Sequence, residues 1–216
     1  MPSIRQYIPK APNGPFPYTS ADLKPMDDRD ELFYSTSRFV THIDDNAISA
    51  LRKYYEILPE GRVLDFCSSW ISHFPEGREA LGMGMNEAEL RDNPILKEYK
   101  VQDLNVNPVI PFKELDASTC TVSIDYLTRP VEVLSSLREN TEPGGSVHLA
   151  ISNRCFPTKV VGRWLRVSED QRLDMVGDYL WWSGWRNIEI QTLVQESGTD
   201  PLWIVRGINQ HEAGTS

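Results

Sequence analysis

The chain has 216 residues, of which 40% are hydrophobic and 25% are charged, and its formal net charge is −9 at pH 7. This size and composition are typical of one soluble, globular domain with some decoration. The acidic balance argues against nonspecific binding to nucleic acid or to an anionic membrane, and no apolar run approaches the length of a membrane span.

The cysteine pattern indicates the redox environment. Cys67, Cys120 and Cys155 are far apart and form no CxxC pair, which favours reduced thiols over a disulfide or zinc framework. Residues 1–5 are not followed by the apolar segment of a signal peptide. We therefore expect a cytoplasmic protein.

Residues 1–60 are predicted to form a proline-rich arm followed by a helical lid. Six prolines within residues 1–30 disfavour a regular helix or a central strand there. Tyr7, Phe16 and Tyr18 interrupt these prolines, and a pure linker would not need aromatic side chains. We expect the arm to pack across the domain and to approach the site; a partly ordered terminal arm is the alternative.

Residues 30–59 have a helical pattern. Ile48, Leu51, Tyr55 and Leu58 recur on one helix face, with Asn46 or Asp45 as the expected N-terminal cap. The segment before them carries a set of side chains that is too polar for a plain packing helix. We expect this set to close over a bound cofactor and to shape the substrate pocket. The set consists of Tyr34, Arg38, His42 and Asp44.

Strands and helices alternate between residues 61 and 208. Strands are predicted around residue 63 and at 80–85, 99–102, 117–124, 147–151, 187–194 and 202–208. Helices are predicted at 131–140, after the fifth strand to about residue 180, briefly after the first strand, and after Asn86 as a cap. This alternation predicts an α/β fold: a mainly parallel, seven-stranded sheet with helices on both faces and an antiparallel C-terminal edge. Residues 209–216 are predicted to be a polar tail.

The first strand is the centre of the predicted site. Its apolar residues suit a sheet that is buried on both faces, whereas Asp65 cannot enter such a core without cost. We place Asp65 at the carboxyl end of the strand, where open α/β sheets bind ligands. Cys67, Ser68 and Ser69 keep the next turn small, so that backbone N–H groups can approach a ligand. This stretch predicts the floor of a nucleotide-like cofactor site; capping of the next helix is the alternative role of Asp65.

Five landmarks follow one another along the chain. They are Val63–Ser69, Gly82–Asn86, Gln102–Leu104 with Ile110–Phe112, Leu115–Asp116, and Glu142–Gly145. Together they resemble the ordered motifs of class I S-adenosylmethionine-dependent methyltransferases. The resemblance implies a Rossmann-like methyltransferase fold over residues 61–208, with S-adenosyl-L-methionine as the cofactor.

The resemblance also implies roles for individual residues. Asp65 would face the amino group of the methionine moiety, and Cys67 to Ser69 would lend backbone to the methionine and the ribose. Asp103 would accept a hydrogen bond from the adenine amino group, with Leu104 beside the ring. An Asx turn is the alternative role of Asp103. Ser123, Asp125 and Tyr126 follow the fourth strand, where the family positions the substrate.

The sequence departs from the family in two places. Cys67, Ser69 and Ile71 stand where the family's first turn has glycines, which allow positive φ and close backbone approach. Gly84 aligns with the acid that holds the ribose hydroxyls. Asn86, two residues further on, offers an amide that could take over this contact.

Three residues are candidates for acid–base chemistry. His73 is a candidate general base because the ordinary pKa of histidine lies near neutrality; a structural histidine is the alternative. Asp125 and Tyr126 could act as a base and its orienting partner, although Asp125 could equally cap the helix that follows Arg129-Pro130.

Two other patterns receive a structural interpretation. His42-Ile43-Asp44 supplies the ligand types of a non-haem iron site, but the α/β scaffold argues against that chemistry and we predict no metal. Trp181, Trp182 and Trp185 could line a pocket, and core packing is the favoured alternative.

The sequence therefore predicts methyl transfer from S-adenosylmethionine to a small-molecule acceptor. The alternative is a methyltransferase-like fold that binds a ligand or partner, or that catalyses a reaction other than methylation.

Overall fold

The computed structural model describes residues 3–27 and 29–210. The strands are β1 (Ile4–Gln6), β2 (Val63–Asp65), β3 (Ala80–Gly84), β4 (Leu96–Val101), β5 (Leu115–Thr121), β6 (Thr141–Ser152), β7 (Arg186–Val194) and β8 (Leu202–Ile208). The helices are α1 (Asp30–Tyr34), α2 (Asp45–Tyr55), α3 (Glu87–Asp92), α4 (Pro130–Glu139) and α5 (Glu169–Trp182), with 3-10 turns at Ile124–Tyr126 and Trp164–Arg166.

All eight strands join one sheet in the order β1-β7-β8-β6-β5-β2-β3-β4. The five strands from β6 to β4 run parallel, and β8, β7 and β1 continue the sheet in antiparallel pairs. The predicted α/β fold with an antiparallel C-terminal edge is confirmed. The sheet has one strand more than the predicted seven, because Ile4–Gln6 pairs with β7. This strand lies at the edge of the sheet and pairs on one side only, a position that a proline-rich segment can occupy.

Side chains alternate between the two faces of the central strands, as the pleat requires. Val63, Ala117 and Ala150 belong to a core cluster with the apolar residues of α2. Their neighbours Leu64 and Leu149 belong to the cluster that contains the apolar faces of α4 and α5. Helices therefore cover both faces of the sheet, and the central strands are buried on both sides.

The N-terminal arm packs across α5. The hydroxyls of Tyr7 and Tyr18 both donate to the carboxylate of Asp178, and a side chain at Gly177 would overlap the Tyr7 ring. The indole N–H groups of Trp181 and Trp182 bind backbone carbonyls of the arm. These contacts hold this part of the arm against α5, and the expectation that the arm also approaches the site stays a prediction.

Hydrogen bonds also show the positions of the tryptophan cluster and of the first residues of the C-terminal tail. Trp185 is fully buried and its Nε1 donates to the Leu134 carbonyl at 3.0 Å, so it is a core residue. The predicted polar tail is described only as far as Gln210; residues 211–216 lie outside the described ranges. Its first residue, Asn209, is buried and its amide donates to the carbonyl of Thr141 at 2.7 Å.

Several local predictions were wrong. Residues 66–79, between β2 and β3, form no helix, because serine hydroxyls and amides bind one another there: Asn93 Nδ2 donates to Ser72 Oγ at 2.9 Å and to the Ser69 carbonyl at 2.8 Å. Another concerns α2, whose cap is Asp44 rather than Asp45 or Asn46. Residues 35–44 separate α1 from α2 and are not helical.

Candidate active site

A cavity of about 330 Å³ opens at the carboxyl ends of the parallel strands. Its lining comes from the residues that follow β2 to β6 and from residues 30–42, which lie across it. The strand order reverses between β2 and β5, and open α/β sheets bind ligands at such a reversal. The volume is within the range of small-molecule sites.

Asp65 forms the floor of this cavity. The residue is only 2% exposed, and its carboxylate oxygens accept hydrogen bonds from Ser68 Oγ at 2.6 Å and from Thr119 Oγ1 at 2.9 Å. Burial raises the pKa of Asp65 to about 6, and these hydrogen bonds offset part of that effect. Asp65 has no cationic partner among the described residues. A positive group placed beside it would therefore be favoured.

The turn after β2 explains both departures from the family pattern. Cys67 has a φ of 55°, so the turn adopts a left-handed conformation of the kind glycine favours, but with a cysteine. The next residue donates its N–H to the Met83 carbonyl at 2.6 Å. A side chain at Gly84 would overlap the Ser68 carbonyl oxygen. The family's ribose-binding acid therefore cannot fit at position 84, because the turn lies against the end of β3.

Asp103 leaves one carboxylate oxygen available beyond the end of β4. Its Oδ1 accepts from the backbone N–H of Asn105 at 2.8 Å, which is the Asx turn that the sequence offered as an alternative. The other oxygen has no hydrogen-bond partner among the described residues. Leu104 is buried and lines the cavity beside it. Asp103 thus forms the Asx turn through Oδ1 and still presents Oδ2 as a hydrogen-bond acceptor.

Asn86 and Glu89 lie at the cavity wall next to Gly84. Asn86 Oδ1 accepts from Glu89 N and Ser37 Oγ, both at 3.1 Å, and its Nδ2 donates to the Tyr34 carbonyl at 2.9 Å. Asn86 therefore caps α3 and retains a single N–H for a ligand. Glu89 Oε1 accepts from the backbone N–H of Arg38 at 2.6 Å, and burial raises the pKa of Glu89. Its second oxygen is unpaired among the described residues.

Residues 30–44, which we call the cover segment, are anchored at both ends and in the middle. The Nζ of buried Lys159 donates to Asp30 Oδ1 at 3.0 Å, and the Trp70 indole N–H donates to the Val40 carbonyl at 3.0 Å. At the far end, Asp44 accepts from Ala47 N at 2.8 Å and from the backbone of Asp200 at 2.6 Å. These anchors hold the segment against elements from three regions of the chain.

Aromatic side chains and one arginine form the wall under the cover segment. The Cζ of Arg38 lies 4.0 Å from the Phe33 ring centroid and 5.9 Å from that of Phe156. The ring centroids of Tyr126 and Phe156 are 6.1 Å apart, and the Tyr126 hydroxyl accepts a hydrogen bond from the backbone N–H of Phe156 at 2.8 Å. Burial raises the pKa of Tyr34, which lines the same wall.

His42 and His73 both line the cavity, and burial favours the neutral form of each ring. Burial lowers the pKa of His42, helped by Arg38, and it lowers the pKa of His73 to about 4. His73 is 4% exposed, and its Nδ1 has no hydrogen-bond partner within the described structure. Such an orphaned ring nitrogen can accept a hydrogen bond from a ligand.

The residues after β5 supply the remaining wall. Ser123 lines the cavity and donates to the Thr121 carbonyl at 2.9 Å. Val122, also in the lining, has a φ of 45°, which is strained for a β-branched residue. His42, Cys67 and His73 share this positive φ. Strained backbone therefore concentrates around the cavity, as it does at many functional sites.

Two predicted site residues lie outside the cavity lining. Asp44 caps α2 and anchors the cover segment rather than facing the cavity. Asp125 is buried in the 3-10 turn after β5; its Oδ2 has no partner in the described residues, and burial raises the pKa of Asp125 to about 7. The other predicted residues line the cavity: Tyr34, Arg38, His42, Asp65, Cys67, Ser68, Ser69, His73, Asn86, Asp103, Leu104, Ser123 and Tyr126.

Several lining residues were missed, among them Glu89, Arg154 and Phe156. Glu89 lies in the first turn of α3, and Arg154 and Phe156 follow β6. Arg154 and Phe156 could have been predicted from their position after β6, because the carboxyl ends of all parallel strands lie at the same edge of the sheet.

Comparison with known proteins defines the fold. No protein-family model matches the sequence, and no curated protein matches it. Among solved structures, an S-adenosylmethionine-dependent methyltransferase from Thermotoga maritima aligns at a TM-score of 0.55 and 16% identity, over 76% of this chain and 91% of its own. One from Archaeoglobus fulgidus aligns at 0.55 and 15%, over 74% and 92%.

A third structure carries ligands. Phosphoethanolamine N-methyltransferase 2 from Haemonchus contortus, in complex with phosphomonomethylethanolamine and S-adenosylhomocysteine, aligns at a TM-score of 0.53 and 11% identity, over 77% of this chain and 53% of its own. The chain thus has the Rossmann-like fold of class I S-adenosylmethionine-dependent methyltransferases, as its landmarks predicted.

Two classes of feature were not found in the described part of the chain. None of its helices combines the length and apolar character needed to cross a membrane. Its His, Cys, Asp and Glu side chains form no group of three or more arranged to hold a metal ion.

Proposed function

We propose that the protein is an S-adenosylmethionine-dependent methyltransferase that acts on a small-molecule acceptor. The observation that carries this proposal is the covered cavity at the strand reversal of a methyltransferase-type sheet, with an acid after β2 and another after β4. Asp65 and Asp103 supply these acids, and each presents a carboxylate oxygen that can accept a further hydrogen bond.

The donor and acceptor groups of the cavity fit those of S-adenosylmethionine. Asp65, buried without a cation beside it, suits the ammonium of the methionine moiety. The unpaired oxygen of Asp103 suits the adenine amino group, with Leu104 against the ring. The unpaired oxygen of Glu89 and the last N–H of Asn86 suit the ribose hydroxyls. In this arrangement Glu89 supplies the carboxylate for the ribose, in place of an acid at position 84.

When bound, the cofactor supplies an electrophilic methyl group. The task of the chain is to bind the two reactants, to align them and to exclude water, because displacement at a methyl group requires an in-line approach. The cover segment is the lid that excludes water. We assign to His73 the acceptance of a proton from an acceptor hydroxyl or ammonium, and its unpartnered Nδ1 supports this role.

Calorimetric titration with S-adenosylmethionine and S-adenosylhomocysteine tests the cofactor part of the proposal. Both should bind to the unmodified chain, and Asp65→Ala should abolish binding while Arg166→Ala, which alters an exposed ion pair with Asp22, should not. Absence of binding to the unmodified chain would refute the proposal. Formation of S-adenosylhomocysteine with a panel of small acceptors tests turnover; binding without turnover on any acceptor would instead favour a ligand-binding protein.

A further inference from the structure

Arg38 is distinguished from the other charged groups of the cavity. Arg38 and Arg154 are the arginine or lysine side chains in the described lining. Arg154 Nε donates to Asp200 Oδ1 at 2.7 Å, so its charge is paired. Arg38 has no carboxylate within salt-bridge distance among the described residues. Among the described residues, a permanent positive charge therefore lines the cavity without an ion-pair partner.

The guanidinium of Arg38 is also pre-oriented. Its Nη1 donates to the carbonyls of Phe33 at 2.6 Å and Thr36 at 3.1 Å, and its plane is supported by the Phe33 ring at 4.0 Å. The Nε and Nη2 groups have no hydrogen bond among the described residues. A guanidinium fixed in this way presents a fork of donors that matches a carboxylate.

The described acids around the cavity form no ion pair with this fork, although the charge of Arg38 offsets part of the rise in the pKa of Glu89. Asp30 is bound by Lys159 Nζ at 3.0 Å, and Asp103 serves the Asx turn after β4. Glu89 accepts the backbone N–H of Arg38, whereas the guanidinium lies over the Phe33 ring.

We propose that the methyl acceptor is a planar carboxylic acid whose carboxylate pairs with Arg38. Its ring or conjugated system would pack against Phe156, whose ring centroid lies 5.1 Å from that of Phe33 and 6.1 Å from that of Tyr126. This inference rests on the proposed function. Phe156 follows β6, on the far side of the strand reversal from Asp65 and Asp103. The guanidinium lies 5.9 Å from the Phe156 ring on the proposed acceptor side, whereas the backbone N–H of Arg38 binds Glu89 on the proposed cofactor side.

Matched acids and amides test the charge requirement. Protein saturated with S-adenosylhomocysteine is titrated calorimetrically with benzoate, 4-hydroxybenzoate and cinnamate, and with the corresponding amides. At least one acid should bind about tenfold or more tightly than its amide, as expected for a charge-assisted pair. Arg38→Met should remove this preference and Arg38→Lys should retain part of it. Equal binding of every acid and amide, or no binding of any acid, would overturn the proposal.

Two controls separate the possible failures. The first control is Arg163→Met. Like Arg38, Arg163 stacks on an aromatic ring, that of Tyr18 at 5.0 Å, but it lies outside the cavity lining. This variant should keep the preference for acids over amides. Binding of S-adenosylhomocysteine is compared with 5′-methylthioadenosine, which lacks the amino-acid carboxylate. Part of that difference comes from the ammonium that Asp65 binds, so if Arg38→Met reduces the difference, Arg38 binds the cofactor carboxylate and the inference is wrong. If S-adenosylhomocysteine fails to bind the unmodified chain, the proposed function itself is wrong.

Discussion

Replacing Asp65 with asparagine should stabilise the protein and weaken its ligand binding. Burial raises the pKa of Asp65 from an ordinary value of 3.8 to about 6. Because the folded pKa is the higher one, stability is greatest below the unfolded pKa and falls as the pH rises through 6. The ionised carboxylate then costs roughly 3 kcal/mol of folding free energy. Asparagine avoids this cost, but one of the two hydroxyls that donate to Asp65 must turn round, which gives back roughly 1 kcal/mol.

We therefore expect Asp65→Asn to raise the free energy of unfolding by about 1–2 kcal/mol at pH 7.5. The gain over the unmodified chain should vanish near pH 4, where the native carboxyl is protonated. Urea unfolding at the two pH values measures both quantities. Asp116→Asn, at a surface carboxylate that accepts from Arg62 N at 2.8 Å, is the matched control and should show no gain.

Ligand affinity should change in the opposite direction. Loss of a charge-assisted contact to the cofactor ammonium should weaken binding of S-adenosylhomocysteine by about tenfold or more. If Asp65→Asn instead destabilises the apo protein equally at both pH values and leaves affinity intact, Asp65 is only a structural acceptor for Ser68 and Thr119.

Three further predictions follow from the cavity wall. Asp103→Ala should weaken S-adenosylhomocysteine binding by roughly 1.5–3 kcal/mol in calorimetry; unchanged affinity would mean that the adenine lies elsewhere. Asn86→Ala should lower the free energy of unfolding of the apo protein by about 1 kcal/mol, because α3 loses its cap; a thermal melting curve identical to that of the unmodified chain would contradict the cap role. His73→Ala should lower turnover without changing cofactor affinity. Since the pKa of His73 lies near 4, its loss should not remove any inflection of the pH–rate profile near 6.5.

The central sheet could be predicted from the sequence because its signal is local. Apolar strands such as Val63–Asp65 end at polar residues and alternate with helical segments, so topology follows from alternation and handedness. The same rule places Asp65 and Asp103 at one edge of the sheet. β1 was missed because three residues at a sheet edge carry no periodic pattern.

The rest of the site depends on contacts between distant parts of the chain. Nothing near Asp44 in the sequence indicates that Asp200 holds it, and nothing near Asn86 indicates that the cover segment occupies its side chain. Glu89 resembles any first-turn acid until α3 is placed beside Arg38. The absent helix after β2 is also a tertiary effect, since Asn93 supplies the bonds that keep Ser69 and Ser72 non-helical.

The contact between the Ser68 carbonyl and Gly84 makes two sequence changes interdependent. An aspartate grafted at position 84 would have to push the turn after β2 away from β3, and glycines grafted at residues 67–69 alone would remove the Ser68 hydroxyl that donates to Asp65 without restoring an acid at position 84. Each single graft should therefore impair the protein, and only the combined exchange could recover a site of the usual kind. Across relatives of this chain, residues 67–69 and residue 84 should accordingly change together rather than one at a time.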